Sequence, residues 1–332
     1  MRLFLAPMEG VVDHHVRELL TAIGGIDVCV TEFVRVSGSQ QLPDRVFHKL
    51  CPELAHGCRT PSGTPVRLQL LGGDPEALAR NAAKAVQVGA TAIDLNFGCP
   101  AKTVNNSDGG ASLLREPQRV FEIVKAVRAE VPANVPVSAK IRLGFEDRSL
   151  YLDNACAIYE AGANELAVHA RSKADGYKPP AYWEYIGRIK EQISIPVIAN
   201  GEIWSVDDWR RCREQSGCED FMLGRGLLAR PDLALAIHAE YLAEQAHTCL
   251  GQGSHSATIN PAMSWAQVVS MLYQYYQTTK ALYPHKFLGN RIKQWLAYLR
   301  LQYPAANDFF ERIKQLRLAD DIEEAFRIQL GR

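Results

Sequence analysis

The sequence predicts a (β/α)8 TIM barrel followed by a small C-terminal all-α bundle, and three observations predict it. Short apolar runs rich in β-branched residues recur eight times, spread over roughly 240 residues. Stretches with apolar residues three and four apart lie between them, as amphipathic helices require. No G-x-G-x-x-G follows the first run, which argues against the main competitor, an open doubly wound sheet carrying a dinucleotide.

The predicted strands are Leu3–Ala6, Val28–Thr31, Val66–Leu70, Ile93–Asn96, Val137–Ile141, Leu166–His169, Val197–Ala199 and Phe221–Leu223. The helical stretches between and after them include Pro75–Val88, Pro117–Glu130, Leu152–Ala161, Trp183–Gln192, Val206–Glu214 and Leu233–Glu244. Beyond about residue 244 the composition shifts. Thr-Cys-Leu-Gly-Gln-Gly-Ser-His-Ser reads as a connecting segment, so the expected division is a barrel over 1–245, a linker over 246–262 and a helical, aromatic-rich domain over 263–332.

Composition sets the class. At 47% apolar and 22% charged residues, the 332-residue chain reads as an ordinary globular protein with room for one large and one small domain. Its formal net charge is zero, so the chain as a whole carries no signature of a polyanionic partner. No run of eighteen apolar residues exists, and the opening stretch is broken by Pro7 and Glu9 too early for a signal peptide. A cytoplasmic protein without membrane contact is expected. The eight cysteines include no C-x-x-C, so neither a zinc site nor a disulfide framework is expected. Cys51 and Cys58, in a Pro/Gly-containing loop, are the one pair to weigh as metal ligands, and a metal is not expected there.

In a barrel, chemistry gathers where strands end. The expected ends are Ala6-Pro-Met-Glu-Gly10, Thr31-Glu-Phe-Val-Arg35, Gln69-Leu-Leu-Gly72, Asn96-Phe-Gly-Cys99, Lys140-Ile-Arg142, His169-Ala-Arg171, Asn200-Gly-Glu202 and Gly224-Arg-Gly226. Nearly all turn polar directly after an apolar run, more than a purely structural rim requires. At the fourth, Gly98 and Pro100 bracket Cys99 and stop the strand, which holds the thiol beside open space. A thiol of ordinary acidity is protonated at neutral pH, so Cys99 is a candidate proton donor. A nucleophile would need an activating neighbour, and the local sequence offers only Lys102.

Strand ends seven and eight carry Gly201 and Gly224, which let a phosphate approach backbone N–H groups, with Arg225 beside them. A phosphorylated cofactor or substrate is expected. Lys140 and Arg142 are two apart, as are His169 and Arg171, so each pair points to one side of its strand. The expected result is a cationic wall suited to the pyrimidine edge of a flavin, which gains negative charge on reduction. The loop Asn105–Ala111, rich in glycine and asparagine, is expected to be a flap over the site.

Charge is uneven along the chain. Residues 263–332 hold ten Lys/Arg and six Asp/Glu, net +4, which leaves 27 against 31, net −4, upstream. No acid occurs from Met263 to Asn307, where Lys280, Lys286, Arg291, Lys293 and Arg300 lie among aromatics. That combination suggests phosphate contacts as in RNA recognition, with the aromatics themselves forming the bundle's core.

Leu5-Ala-Pro-Met-Glu-Gly-Val11, Asp94-Leu-Asn-Phe-Gly-Cys-Pro-Ala-Lys102, Asn200-Gly-Glu202 and Gly224-Arg-Gly226 together resemble the tRNA-dihydrouridine synthases. Thr31-Glu-Phe-Val-Arg-Val36, Arg59-Thr-Pro-Ser-Gly63 and Arg291–Arg300 look like the bacterial branch that modifies uridine 16 of the D-loop. Phe97 and Ala101 depart from the commoner pattern. The resemblance implies a monomeric barrel enzyme carrying FMN, reduced by NADPH or NADH, that passes hydride to C6 of a flipped uracil in tRNA while the cysteine protonates C5. It implies FMN contacts from Pro7, Met8, Glu9, Gln69, Lys140, His169, Asn200, Gly201, Glu202, Gly224 and Arg225. Cys99 would be the acid. Asn96 and Arg171 would face the uracil, and Arg35, Arg142, Lys280, Lys286, Arg291, Lys293 and Arg300 would hold the tRNA. The rival reading is an FMN enzyme acting on a free pyrimidine, like a dihydroorotate dehydrogenase.

Overall fold

The structure is a computed structural model that describes residues 1–38, 40–250, 262–284 and 287–331, with the side chains of 247–250 left aside. The chain runs β1 (Leu3–Leu5), α1 (His14–Ile23), β2 (Val28–Arg35), α2 (Asp44–Leu50), β3 (Val66–Leu71), α3 (Pro75–Gln87), β4 (Ile93–Phe97) and α4 (Lys102–Asn105). It continues with α5 (Pro117–Glu130), β5 (Val137–Arg142), α6 (Tyr151–Glu160), β6 (Glu165–His169), α7 (Trp183–Gln192), β7 (Val197–Asn200), α8 (Val206–Ser216) and β8 (Asp220–Leu223). Then come α9 (Arg225–Ala229), α10 (Leu233–Leu250), α11 (Trp265–Lys280), α12 (Asn290–Leu299), α13 (Pro304–Ile313) and α14 (Ala319–Gln329). The eight strands form a closed barrel in sequence order, every neighbouring pair parallel.

Two features depart from the sequence reading. Strand β2 runs four residues further than expected, with a register shift between Val30 and Phe33, and so carries Arg35 at its end. The chain also divides elsewhere. One compact unit comprises Met1–His14, Ile26–Ile203 and Asp207–Gly224, and the other His15–Gly25, Trp204–Val206 and the chain from Arg225 onward. Contacts inside the second unit explain why α1, α9 and α10 belong to it. The Trp295 indole donates to the Leu228 carbonyl (3.0 Å), the Met263 amide to Asp232 (3.2 Å), and Gly25 lies so close to the Leu235 backbone that a Cβ would sit 2.6 Å from its nitrogen. Helix α10 also continues past residue 246 to Leu250, while 251–261 of the expected linker lie outside the described residues.

Inside the barrel the two sides differ. Phe4, Ala6, Val28, Val30, Ala167, Ile198 and Met222 form an apolar cluster contributed by β1, β2, β6, β7 and β8. On β3, β4 and β5 the register aligns Gln69 with Asp94 and Asp94 with Ser138, a polar layer at one level. In the second unit an aromatic core forms from Tyr275 against Trp295 (5.5 Å) and Phe309 against Phe326 (5.1 Å), the fate expected for these rings. Helix α11 starts at a capping box between Ser264 and Gln267. The expected flap is instead bonded down: Asn105 donates to the carbonyls of Cys99 (3.2 Å) and Ala101 (2.8 Å), and Arg119 joins Asp108 to the Gly73 carbonyl. Among the described residues no helix is long and apolar enough to cross a membrane, and no three His, Cys, Asp or Glu side chains converge. Cys51 and Cys58 are buried, and the Cys58 thiol donates to the Val66 carbonyl (3.0 Å).

At the barrel's N-terminal end Arg2 and Arg67 share Glu165, at 2.7 and 2.6 Å, and Arg2 also holds Asp220 at 2.5 Å. Both guanidinium groups lie over the Phe4 ring. Burial would push the Glu165 carboxyl up, but Arg67 and Arg2 outweigh it and the net shift is downward. A lowered carboxylate stabilises the fold fully above the unfolded glutamate range and stops doing so as pH falls through its folded value. Glu165→Gln is expected to cost about 2 kcal/mol at pH 7, chiefly by taking the charge partner from the largely buried Arg67, since Arg2 is more exposed and keeps Asp220. In urea unfolding the gap between variant and parent should shrink as pH falls below the ordinary glutamate range, about 4.3, and close once the parent's lowered carboxyl has protonated.

Candidate active site at the carboxyl ends of the strands

Cys99 follows β4 and is held by a side chain three residues earlier. The Asn96 carboxamide oxygen accepts the backbone N–H groups of Gly98 and Cys99, both at 2.9 Å. Its NH2 donates to Gln69 Oε1 (2.8 Å), and the Gln69 NH2 donates to Asp94 Oδ2 (2.7 Å). The Cys99 carbonyl in turn accepts from the Ala111 N–H (3.1 Å). Cys99 itself is only part-buried. Desolvation pushes its thiol up, the charge of Glu9 adds to this, and Arg142 and Arg35 oppose without prevailing. The thiol is therefore a neutral acid at physiological pH.

The cations of β5 and β6 do not form an open wall. Arg142 is buried, with Nε donating to the Gly98 carbonyl (2.9 Å) and Nη1 to those of Ser172 (3.1 Å) and Gly176 (3.0 Å). It braces the cysteine turn against the loop after β6. Arg171 is 0% exposed, ion-paired to Glu202 and donating to the Pro180 carbonyl (3.1 Å). The roles that the resemblance places on them, holding tRNA and facing uracil, need surface they do not have. Gln69, expected against the cofactor, is 0% exposed, and Asn96, expected to face the uracil, is buried with its oxygen on the cysteine turn and its NH2 on Gln69. A two-residue spacing fixes a side chain's direction and says nothing of its depth.

Other expected residues do gather at the rim. Lys140 donates to Asn200 Oδ1 (3.1 Å), and Asn200 donates to the Met222 carbonyl (2.7 Å). Burial, with the Arg142 charge, lowers the Lys140 ammonium to about 8 despite the raising effect of Asp94. Gly201 has φ +118° and lies so near His169 that a Cβ would stand 2.8 Å from the ring, so only glycine lets these two strand ends close. At Gly224 a Cβ would only touch Ala6 and Met8, at 3.6 Å each, which leaves the backbone accessible. The turn Pro7–Gly10 is closed by the Met8 carbonyl, which accepts from Val11 and Val12, and the Gly10 N–H donates to Glu32. Partial burial and the neighbouring Glu32 push the Glu9 carboxyl up. Arg35 is exposed and donates to the Thr103 carbonyl (3.1 Å). Arg225 opens α9 in the second unit and stacks on Trp204 (4.9 Å).

Sequence reading missed Tyr177. Its ring is 53% exposed, lies 5.2 Å from the Arg142 guanidinium and 6.1 Å from the His169 ring, and offers a flat apolar face beside the cysteine's brace. Nothing in its loop sequence marks it. Asp94 was also passed over as a functional residue, although it shares a strand face with Asn96.

The basic segment of the second unit is less free than its sequence. Lys280 is ion-paired with Glu323 of α14, so the stretch that is acid-free in sequence is not acid-free in space. Lys293 donates to the Leu316 carbonyl (2.6 Å), and Arg291 to the Tyr275 hydroxyl (3.0 Å) and Gln294 (3.1 Å). Arg300 is exposed and lies over the Phe310 ring (5.0 Å), and Lys286 lies outside the described residues.

A neutral acid held at the carboxyl rim of a closed parallel barrel is the arrangement of a barrel enzyme. Residues 4–327 match the family described as dihydrouridine synthase, and the chain belongs to that family. Relatives named tRNA-dihydrouridine(16) synthase from Shewanella oneidensis, Aquipseudomonas alcaligenes and Pseudomonas putida are 50%, 50% and 49% identical. The matches cover 99%, 98% and 99% of this chain and 97%, 98% and 96% of theirs. Among solved structures, a 2-naphthoyl-CoA reductase has TM-score 0.54 at 12% identity over 74% of this chain, and a histamine dehydrogenase from Rhizobium 0.56 at 14% over 73%. This chain spans 50% and 46% of those longer proteins, and the likeness is one of fold.

The thiol's raised pKa is directly testable. Alkylation of Cys99 by iodoacetamide, followed peptide by peptide, should stay slow at pH 7 and climb only above about 9, beyond the ordinary cysteine range.

Proposed function

We propose that this chain reduces the C5–C6 double bond of uridine 16 in tRNA to 5,6-dihydrouridine, with FMN as its flavin and NADPH as the source of electrons, in the cytoplasm where tRNA is processed. The observation that carries the reading is the Asn96-held turn that sets Cys99 at the barrel rim, part-buried so that desolvation pushes its thiol up, in a chain that matches the dihydrouridine synthase family along almost its whole length. The names of the relatives point to uridine 16. A barrel acting on a free pyrimidine would leave the second unit without a purpose.

The rim suits such a cofactor. Lys140 is part-buried with Asn200 as its side-chain partner, Arg171 Nη1 is a buried donor with no hydrogen bond, and Gly224 leaves room beside its backbone. Positive donors and an approachable backbone are what a phosphorylated, electron-accepting heterocycle needs. In this reading Lys140, Asn200, His169, Gly201, Glu202, Gly224 and the Pro7–Glu9 turn lie against FMN, with Gln69 and Arg171 acting behind their neighbours. When bound, the reduced flavin supplies the hydride that C6 accepts.

The chain's own residues do the rest. The π-face of a stacked base is closed, so the uridine must be turned out, and the exposed ring of Tyr177 offers a flat surface to receive it. Hydride addition leaves negative charge on C5 and O4, and the Cys99 S–H gives C5 its proton, so the thiol becomes a thiolate. Water then returns a proton to sulfur. A carboxylic acid would be ionised at pH 7 and could not serve. Of the cations, Arg35 on the barrel and Arg300 on the second unit have the exposure to meet tRNA phosphates.

Incubating the holoenzyme with unmodified tRNA and NADPH and mapping the product tests the reading; dihydrouridine absent from position 16 would overturn it. Cys99→Ala should keep flavin and tRNA binding and lose about a hundredfold or more of the product yield. Arg300→Ala should weaken tRNA binding and reduce the salt slope by about one, with thermal stability unchanged, whereas Lys280→Ala, whose charge Glu323 already matches, should leave affinity nearly intact.

A further inference from the structure

We infer that Asp94 is a positioning residue for the proton transfer: through Gln69 and Asn96 it fixes the backbone turn that carries the Cys99 thiol. The inference rests on the proposed role of Cys99 as acid and assigns a function to a buried carboxylate that touches neither the cysteine nor the mouth of the barrel.

The geometry is a single line of hydrogen bonds with a fixed polarity. At its outer end are two backbone N–H groups, Gly98 and Cys99, which can only donate, so Asn96 must turn its oxygen toward them. Its NH2 then faces Gln69, whose oxygen receives it, and the Gln69 NH2 must in turn find an acceptor. Asp94 Oδ2 is that acceptor, at 2.7 Å. Oδ1 takes the Ser138 hydroxyl at 2.6 Å, which keeps the carboxylate from turning. Strand register supports the same layer, because Gln69, Asp94 and Ser138 are direct partners across β3, β4 and β5.

An amide is nearly symmetric in shape, and without a fixed end it can rotate by half a turn. Replace Asp94 by an apolar side chain and the Gln69 NH2 is left buried and unpaired, a costly state that Gln69 relieves by flipping or moving. Either response sets two NH2 groups, or an NH2 and nothing, between Gln69 and Asn96. The strain then falls on the turn that holds Cys99. The line needs an acceptor at position 94 but not a charge, since Ser138 can donate to or accept from its partner. Asparagine therefore preserves it.

The test compares Asp94→Leu with Asp94→Asn as FMN-loaded full chains, using two readouts. The first is the alkylation rate of Cys99 by iodoacetamide, which needs no assumption about the reaction. The second is a single turnover of tRNA by enzyme reduced beforehand. Asp94→Leu should alter Cys99 alkylation several-fold and slow dihydrouridine formation by about tenfold or more, with tRNA affinity unchanged, as displacement of an acid from its target predicts. Asp94→Asn should match the parent in Cys99 alkylation, the readout that does not need the Lys140 charge. Parent-like alkylation and turnover in Asp94→Leu overturn the inference, and so does an Asp94→Asn variant whose Cys99 alkylation is as altered as that of Asp94→Leu. If thermal unfolding shows that Asp94→Leu does not fold, Gln69→Met breaks the same line one link later, and parent-like Cys99 alkylation there overturns it equally. Altered alkylation in Asp94→Leu together with a parent that makes no dihydrouridine supports the positioning and sinks only the functional reading.

Discussion

The structure depends on one acceptor. Asn96 Oδ1 takes two successive backbone N–H groups at the point where β4 must stop, and this turns the chain sharply enough to present Cys99 at the rim. A strand end normally leaves such donors to water. Here a side chain from the strand's own inner face satisfies both, so the position of the sulfur is tied to the barrel wall and not to a loose loop. The remaining contacts on this turn continue that logic. Arg142 reaches the Gly98 carbonyl from β5, and Ala111 and Asn105 reach the Cys99 carbonyl from the following segment. Between them the carbonyls and amides of residues 98 and 99 are spoken for on both sides.

Acidity at the sulfur is a contest that burial wins. A backbone hydrogen bond from Ala101 and, more weakly, the charges of Arg142 and Arg35 pull the thiol toward ionisation. Arg142, however, spends its donors on three carbonyls, and Arg35 sits in solvent with its field screened. Partial desolvation and the Glu9 carboxyl prevail, and the proton stays on sulfur. Arg142, expected from the sequence as part of a cationic wall, is thus structural in placement and only weakly electrostatic in effect on the thiol.

How far the sequence could be read follows from what each pattern measures. The barrel was legible because strand and helix periods differ, and each of the eight expected strands is present to within a few residues. Cys99 was legible because Gly98 and Pro100 forbid strand and mark the turn. Depth was not legible. Arg142 and Arg171 show the right spacing and the right strand ends, yet are buried, and only the carbonyls and the Glu202 carboxylate around them reveal why. Lys280 was misjudged for a related reason: its partner Glu323 is far along the chain, outside any window that a charge run samples. Tyr177 sits in a loop whose residues obey no period at all. Helix α1 shows the limit at the level of domains, since an amphipathic face declares that a helix packs and not on what.

The barrel interior divides the work in a way that these readings share. Apolar side chains fill the interior from β1, β2, β6, β7 and β8, while β3, β4 and β5 carry the polar layer and, one level up, Asn96 beside Lys140. A buried polar layer is tolerated only when every member has its partner, and a line of amides is held in one orientation when one end meets a group with a single hydrogen-bonding sense and the other end finds an acceptor. Asp94 and the N–H groups of the cysteine turn supply the two ends for Gln69 and Asn96. Asn200 repeats the device on the other wall: the Met222 carbonyl can only accept, so Asn200 gives it the NH2 and turns its oxygen to the Lys140 ammonium. That bond joins β5 to β7 across the rim and holds a cation that burial has brought to about 8, close enough to neutrality for the arrival or loss of a nearby negative charge to decide its state. The acid and the cation of this site are both fixed by amides whose orientation the strands dictate, so the placement of its reactive protons is a property of strand register.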